Sequence, residues 1–433
     1  MINEGCESAL ATCREENAEA AAAFAAAMAR LLPFESAPTL AIAVSGGADS
    51  LALAVLADAW AQARGGSVLG LVVDHGLRTA AADEARLAEQ VLTRLGIAVH
   101  RLRLAGLTHG PALAERARIA RYTALIAACE AAGALHLLVG HHAADQAETV
   151  ALRALRGSFS AGLAGMAALV ELPTVRLLRP LLGVAPGTLR ALLQAKSIGW
   201  IEDPSNRDPH ALRVRLRLLA GDRDGPAVTR LAAAAAVAGA ARQATETQAA
   251  HRMAQAASLR PEGFAVLTRA AIPPTALGAL IQAIGGAPYP PAPDAVAALA
   301  AQPAPATLGG VRLLSAGRLG PGLLLVREIA AMASPVPAVA GAIWDGRYRL
   351  ARDATPPGGA MLGTLGDEAT WFRKRSRLPS VVLRTLPALR VGQTLLAVPH
   401  LQYPDAATCA RMRVLFAPPH PAAAAPFHPM QVA

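Results

Sequence analysis

Between Thr39 and about Arg156, short apolar runs alternate with longer helical ones, and this alternation constrains the fold more than any other feature of the chain. TLAIAV is followed by DSLALAVLADAWAQA, SVLGLVVD by a helical segment through Gln90, IAVHRLRL by ERARIARYTALIAACEAAG, and ALHLLVG by DQAETVALRALRG. Strands alternating with helices predict a parallel sheet covered on both faces, an α/β fold. Ligands of such sheets bind beyond the carboxyl ends of the strands. SGGADS, DHGLR and GHHAADQAET each fall just past a predicted strand, so three separate segments are expected to converge on one cleft.

The first of these segments has the form of a phosphate loop. Gly46 and Gly47 can take positive φ and bring backbone N–H groups close to an anion, while the helix expected from about Asp49 aims the positive end of its dipole at the same place. Ser45 and Ser50 add hydroxyl donors, so Ser45, Gly46, Gly47, Ala48, Asp49 and Ser50 make up the candidate cradle, suited to a pyrophosphate group. Neither GxxxxGK[ST] nor GxGxxG occurs here, so the loop holds phosphate without a lysine. A bare Ser-Gly-Gly would read as an ordinary strand-to-helix turn; the full strand, SGGxDS and helix context favours the phosphate reading.

At 433 residues the chain is long enough for two or three domains. The alternation fades after about Arg156. We divide the sequence into an N-terminal extension (1–36), a catalytic domain (37–218), a mainly helical middle domain (223–332), a small α+β C-terminal domain (341–416) and a tail (417–433) that has too little bulky apolar content to pack and is expected to be disordered. Cys6, Cys13, Cys129 and Cys409 are scattered and form no CxxC pair, which argues against a disulfide framework or thiolate metal site. The hydrophobic fraction of 53% is largely alanine, and its longest run, around Leu231 to Ala241, is too short to span a bilayer. Glu4, Glu7, Glu15, Glu16 and Glu19 make the first residues unlike a secretory signal, so a cytoplasmic protein with no membrane contact is expected. The formal charge of +10 is almost all arginine, Lys196 and Lys374 being the only lysines, and favours a polyanionic partner. A GC-rich coding bias would explain arginine in place of lysine, but not the excess of basic over acidic residues.

SGGADS resembles the PP-loop of the ATP pyrophosphatase superfamily, in which ATP is cut between its α- and β-phosphates and AMP passes to an acceptor. VVDHGLR (Val72–Arg78), ARIARY (Ala117–Tyr122), GHHAADQAETVALRALRGS (Gly140–Ser158), LLRPLL (Leu177–Leu182) and GWIEDPSN followed by RVRLR (Gly199–Arg217) are together similar to the tRNA(Ile)-lysidine synthetase family. Looser likenesses, IGGAPYPP, TLGG, WDGRY and LPALRVGQTLLAVPHL, extend over most of the remainder. The resemblance implies an α/β PP-loop domain of the adenine nucleotide alpha hydrolase type, with ATP and Mg2+ as cofactors. It implies a ligase that adenylates C2 of the wobble cytidine of isoleucine tRNA with a CAU anticodon; the side-chain amine of free L-lysine then displaces AMP to form lysidine. It leaves room for a homodimer.

Carried over residue by residue, the likeness implies Asp49 and Asp145 as magnesium ligands, and His142 with Glu148 for proton transfer and orientation of the attacking amine. Arg118 and Arg121, three apart on one helix face, would meet phosphate or developing charge. Asp74 would hold a metal or ribose, or cap the next segment. Arg213, Arg215 and Arg217 are expected to contact ATP or tRNA phosphate, and the cluster RKRSR, including Arg373, Lys374 and Arg375, to contact tRNA. His141 reads as a helix cap. Two positions depart from the family: Ala144 precedes Asp145 where two aspartates are usual, and Phe159 stands where RGS is normally followed by glycine. The alternative is another PP-loop tRNA-modifying or amidating adenylation enzyme. The lack of paired cysteines argues against a thiolase. A non-catalytic nucleotide- or RNA-binding protein would have no evident need for His142, Glu148 and the arginines together.

Overall fold

The computed structural model describes residues 18–76, 79–104, 106–108, 110–158, 160–202, 222–268, 272–423 and 427–430. The chain divides into two compact units, one of residues 1–243 with 427–433 and the other of residues 244–426. Among the described residues no helix is long and apolar enough to cross a membrane.

The first unit follows the predicted alternation. A helix over residues 18–30 (α1) leads to β1 (Thr39–Val44), α2 (Ala48–Gln62), β2 (Ser67–Asp74), α3 (Thr79–Arg94), β3 (Ala98–Arg103), α4 (Leu113–Ala131), β4 (His136–Val139), α5 (Ala143–Leu155) and α6 (Ser160–Leu163). Then come β5 (Leu169–Glu171), β6 (Arg176–Leu178) and α7 (Pro186–Ala195). The strands order as β3-β2-β1-β4-β6-β5, parallel except for β5 against β6. Leu40, Ala41 and Ile42 of β1 are all fully buried, because helices cover both faces of a central parallel strand. From β1 the chain moves outward through β2 and β3, then returns to place β4 on the other side of β1. Ile42 is thus paired with Gly70 on one side and Leu138 on the other. That reversal opens a crevice at the carboxyl ends of β1 and β4. SGGADS follows β1 and GHHAADQAET follows β4.

Residues 18–36 do not stand apart as an extension. Phe24 and Met28 of α1 are buried in the same core as α2. Arg176, itself buried, donates from Nη2 to the carbonyls of Leu31 (2.9 Å) and Leu32 (3.3 Å), and His136 Nε2 lies 2.8 Å from Glu35 Oε2. The tail differs from expectation too. Ala168 N–H donates to His428 O at 2.8 Å, a bridge pairs Leu169 with His428, and Phe427 and Met430 are buried. Two bulky residues suffice because β5, at the sheet edge, offers backbone groups that need partners.

The second unit holds a five-stranded antiparallel sheet, ordered β7 (Ala257–Arg260), β8 (Phe264–Leu267), β11 (Leu323–Arg327), β10 (Val311–Ser315) and β9 (Ala306–Leu308). Helices Pro274–Gly285 and Pro293–Ala301 pack on it. The hairpin β7-β8 falls inside the middle domain, 223–332, that the sequence reads as mainly helical. Pro261, which could not continue a helix, and Gly263, at φ +76, lie in its turn. Two smaller sheets follow, β12 (Val336–Pro337), β15 (Met361–Thr364), β16 (Pro387–Val391) and β17 (Thr394–Ala397) in one, β13 (Ile343–Trp344), β14 (Tyr348–Leu350) and β18 (Val414–Phe416) in the other. Asp345, in the turn after β13, accepts from Arg327 at 3.0 Å and Arg347 at 2.8 Å, a buried cluster that ties β11 to the later strands.

Candidate active site

The phosphate loop lies where its sequence predicts. Gly46 has φ +84, and a Cβ on it would meet Ile201 Cδ1 at 2.6 Å, so both conformation and space demand glycine. Gly47 is the N-cap of α2, Ala48 its first residue, and Asp49 lies in its first turn. Ser50 plays a different part from the expected phosphate donor. Its hydroxyl donates to Gly47 O at 2.9 Å and accepts from Ser45 N–H at 3.2 Å, so it braces the loop from within. The donors that this leaves open in the loop are the backbone N–H groups at the start of α2.

A cleft of about 190 Å3 opens beside the loop, its polar wall formed by Ser45, Asp49, Arg121, Tyr122 and His141 and its apolar floor by strand residues such as Leu71 and Val73. Its mixed lining of polar and apolar side chains suits a nucleotide. Asp74 contributes a brace: its carboxylate accepts from Gly76 N–H at 2.9 Å. Arg118 and Arg121 of α4 flank the Tyr122 ring at 4.9 and 5.6 Å, and of the two Arg121 lines the cleft. Burial draws the Arg121 pKa down, a cost that favours an anionic neighbour.

The paired histidines after β4 part company. His141 lines the cleft, while His142, the N-cap of α5, turns inward and is buried. Desolvation, followed by the charges of Arg179, Arg118 and Arg121, pushes the His141 imidazole down to about 4, so it is neutral at physiological pH. His142 Nε2 lies 3.0 Å from Arg223 Nη2, 3.4 Å from Asp49 Oδ2 and 3.6 Å from Asp145 Oδ2. Asp145 also accepts from the His142 backbone N–H at 3.2 Å. Burial would raise the Asp49 pKa, but the hydrogen bond with His142 and the charges of His142, Arg223 and Arg190 leave it below the ordinary carboxylate value. Asp49 is therefore charged at neutral pH. Glu148 is buried one helical turn beyond Asp145 on α5.

The donors fit a magnesium ion. Asp49 Oδ1 is buried with no hydrogen-bond partner among the described residues, an arrangement that suits a cation. No three His, Cys, Asp or Glu side chains among the described residues are arranged to hold a metal ion by themselves, so phosphate oxygens and water would have to complete the shell around Asp49 and Asp145.

Sequence reasoning missed Arg179, Arg190 and Arg223, and set His141 aside. Arg179 lies within LLRPLL, and its buried guanidinium donates to Ala167 O at 2.7 Å. Nothing in the local sequence distinguishes Arg190 or Arg223 from solvated surface arginines. Arg213, Arg215, Arg217 and Phe159 lie outside the described residues. Arg373, Lys374 and Arg375 are exposed in the second unit. Ala144 is buried at the start of α5 against Val228, in a position that leaves Asp145 as the carboxylate beside His142.

Residues 18–220 match the PP-loop domain family. A tRNA(Ile)-lysidine synthase of Bradyrhizobium sp. (strain BTAi1) is 44% identical over 43% of this chain and 53% of its own length. Another, from Bradyrhizobium diazoefficiens, is 45% identical over 48% of this chain and 59% of its own. The match thus spans little more than half the length of these two relatives. A third, from Ruegeria pomeroyi, is 36% identical over 83% of this chain and 88% of its own. That likeness continues beyond the phosphate-loop unit through most of the second unit, and by it the chain belongs to the tRNA(Ile)-lysidine synthase family.

Proposed function

We propose that the protein, alone or as a homodimer in the cytoplasm, ligates free L-lysine to C2 of the wobble cytidine of isoleucine tRNA with a CAU anticodon, using ATP and Mg2+. The observation that carries this reading is the meeting of Asp49, Arg121 and His141 at the β1/β4 crevice, in a chain whose relatives bear the synthase name. In the first step the cytidine O2 attacks the α-phosphorus and pyrophosphate leaves. In the second the lysine ε-amine attacks C2, the C2–O bond breaks, AMP departs and the amine gives up its proton.

The chain's residues divide this work by charge and position. Backbone N–H groups at Gly46, Gly47 and the start of α2 hold the departing pyrophosphate. Arg121, supported by Arg118, offsets charge that builds at the α-phosphate. Magnesium held at Asp49 and Asp145 would neutralise phosphate oxygens. His141, neutral and facing the cleft, is available to accept the amine proton, and its basicity would rise as AMP brings negative charge beside it. Asp145 and Glu148, three apart on α5, are the carboxylates suited to the ammonium groups of lysine. His142 stays in the site as the inner link between Asp49, Asp145 and Arg223.

The RNA contact proposed for the second unit rests on unbalanced charge. Asp367 and Glu368 are paired with Arg384 and Arg390, whereas Arg373, Lys374 and Arg375 have no ion-pair partner among the described residues. Trp371, 61% exposed, lies beside them. Arg213, Arg215 and Arg217 are proposed as further phosphate contacts.

The test supplies purified protein with ATP, Mg2+, radiolabelled lysine and unmodified isoleucine tRNA transcript bearing CAU. Lysine should enter the RNA with one AMP released per lysine. AMP release with another acceptor, and no lysine in the RNA, would favour a different PP-loop adenylation enzyme.

A further inference from the structure

Asp49 Oδ1, His142 Nδ1 and Arg223 Nε are all buried without a hydrogen-bond partner among the described residues, and they belong to side chains that touch one another. Buried polar atoms of this kind are rare, and three together call for a common explanation. It lies in the protons. Nε2 of His142 can carry a proton or a lone pair, but not both. If it accepts from Arg223 Nη2 at 3.0 Å, it cannot donate to Asp49 Oδ2 at 3.4 Å, and the proton must sit on Nδ1, where no acceptor lies. If it donates to Asp49, the Arg223 N–H faces another N–H. No single arrangement satisfies all three side chains.

Arg223 is also built to point where it does. It lies in the turn Asp222–Gly225, where Gly225 N–H donates to Asp222 O at 3.1 Å and Asp224 N–H to Asp222 Oδ1 at 2.9 Å. Asp224 Oδ1 accepts from Gly187 N–H at 2.9 Å, pinning the turn to the first turn of α7. A Cβ on Gly187 would come within 2.9 Å of Asp224 Oδ2. The flanking aspartates thus serve the turn, and the arginine between them is turned toward His142. Arg190, one turn along α7 from Gly187, brings a second positive charge to bear on Asp49.

We propose that Arg223, seconded by Arg190, binds the β- and γ-phosphates of ATP and then the pyrophosphate, and that His142 holds the Arg223 guanidinium in position until that anion arrives. A phosphate offers the guanidinium two parallel acceptors, better than one imidazole nitrogen. Once Arg223 moves onto phosphate, His142 Nε2–H is free to donate to Asp49 Oδ2, and Asp49 Oδ1 is left for a cation. The competition between donor and acceptor at Nε2 disappears. This inference rests on the reading of the cleft as an ATP site, but not on the lysine or the tRNA.

Titration calorimetry of the full-length protein with Mg2+ and either pyrophosphate or AMP tests it, since neither ligand requires turnover. Arg223→Ala should weaken pyrophosphate binding by about tenfold or more and leave AMP affinity within about twofold, the charge-assisted contact being lost from one ligand alone. Arg190→Ala should act in the same direction and more weakly. Arg223→Lys should fall between, retaining charge but losing the fork. Equal weakening of both ligands, or unchanged pyrophosphate affinity in a folded Arg223→Ala protein, overturns the assignment. If the alanine variant does not fold, Arg223→Lys and Arg223→Gln carry the same comparison. Failure of the wild-type protein to bind either ligand would overturn the ATP reading itself, a result distinct from one confined to Arg223.

Discussion

Gly140 lies so close to the start of α2 that a Cβ on it would come within 3.0 Å of the Asp49 carbonyl oxygen and 3.2 Å of the Ser50 nitrogen. The segment after β4 and the segment after β1 are thereby held at fixed distance, and with them His141 and the phosphate loop. Gly140→Ala should therefore shift the loop and cost about 1–3 kcal/mol of stability, as overpacking generally does. AMP formation should drop more than the melting temperature alone accounts for. Gly358→Ala, where a Cβ meets nothing within 4 Å, is the matched control and should change neither.

Asp49→Asn should abolish AMP formation with the fold intact, measured as AMP release alongside circular dichroism. The pH dependence has a defined sign. Asp49 is held below its ordinary value of 3.8, so the unfolded chain takes up this proton first. Its stabilising contribution is complete above that value and lost as pH falls through the lower folded value. Wild-type and Asp49→Asn stability curves should run parallel from pH 5 to 8, about one unit or more above that window, and converge only in stronger acid.

His141 reverses the usual histidine case. Its folded pKa of about 4 lies below the ordinary 6.5, so between those values the unfolded chain binds the extra proton. Stability from this group is complete above 6.5 and declines as pH falls toward 4, by at most about 1.4 kcal/mol per pH unit. Denaturant midpoints taken from pH 7 down to 5 should fall less steeply in His141→Gln than in the wild type. Some slope should remain, because burial lowers His136, His400 and His428 as well.

Trp371 and Arg375 should fail in different ways if the second unit contacts RNA. Arg375→Ala removes one cation and should lower the salt slope of tRNA binding by about 1. Trp371→Ala should leave that slope unchanged while weakening binding by about tenfold, the size expected for one lost base stack. Filter binding across a range of salt concentrations separates the two; equal slopes in the wild type and Arg375→Ala would remove the cluster from the RNA surface.

The first unit was legible because its signals are periodic and local. Apolar runs mark β1, β2 and β4, and the residues that follow them fall at one end of the sheet by topology alone. Arg190 and Arg223 were not legible, since each owes its position to contacts across the fold, and their neighbours in sequence resemble any charged turn or helix. The division between His141 and His142 depends on where α5 begins, and a shift of one residue exchanges the cleft-lining and the inward-turned rings. Ser50 looked like a phosphate donor because its type and place suit one. Its hydroxyl serves Gly47 O instead, a choice between acceptors that spacing does not decide. The hairpin β7-β8 was hidden by alanine, which extends the helical pattern up to Pro261.

Residues 427–430 also set an order of events. Phe427 and Met430 belong to the first unit, His428 pairs with Leu169 at its sheet edge, and a Cβ on Gly239 would meet Pro429 at 2.7 Å. The whole of residues 244–426 is synthesised between Gly239 and that closing contact. A ribosome-bound chain can assemble the phosphate loop early, but the last edge of the sheet is sealed only after the second unit has emerged. The nucleotide-binding body is thus begun first and finished last, so nascent chains that lack the second unit leave that edge open.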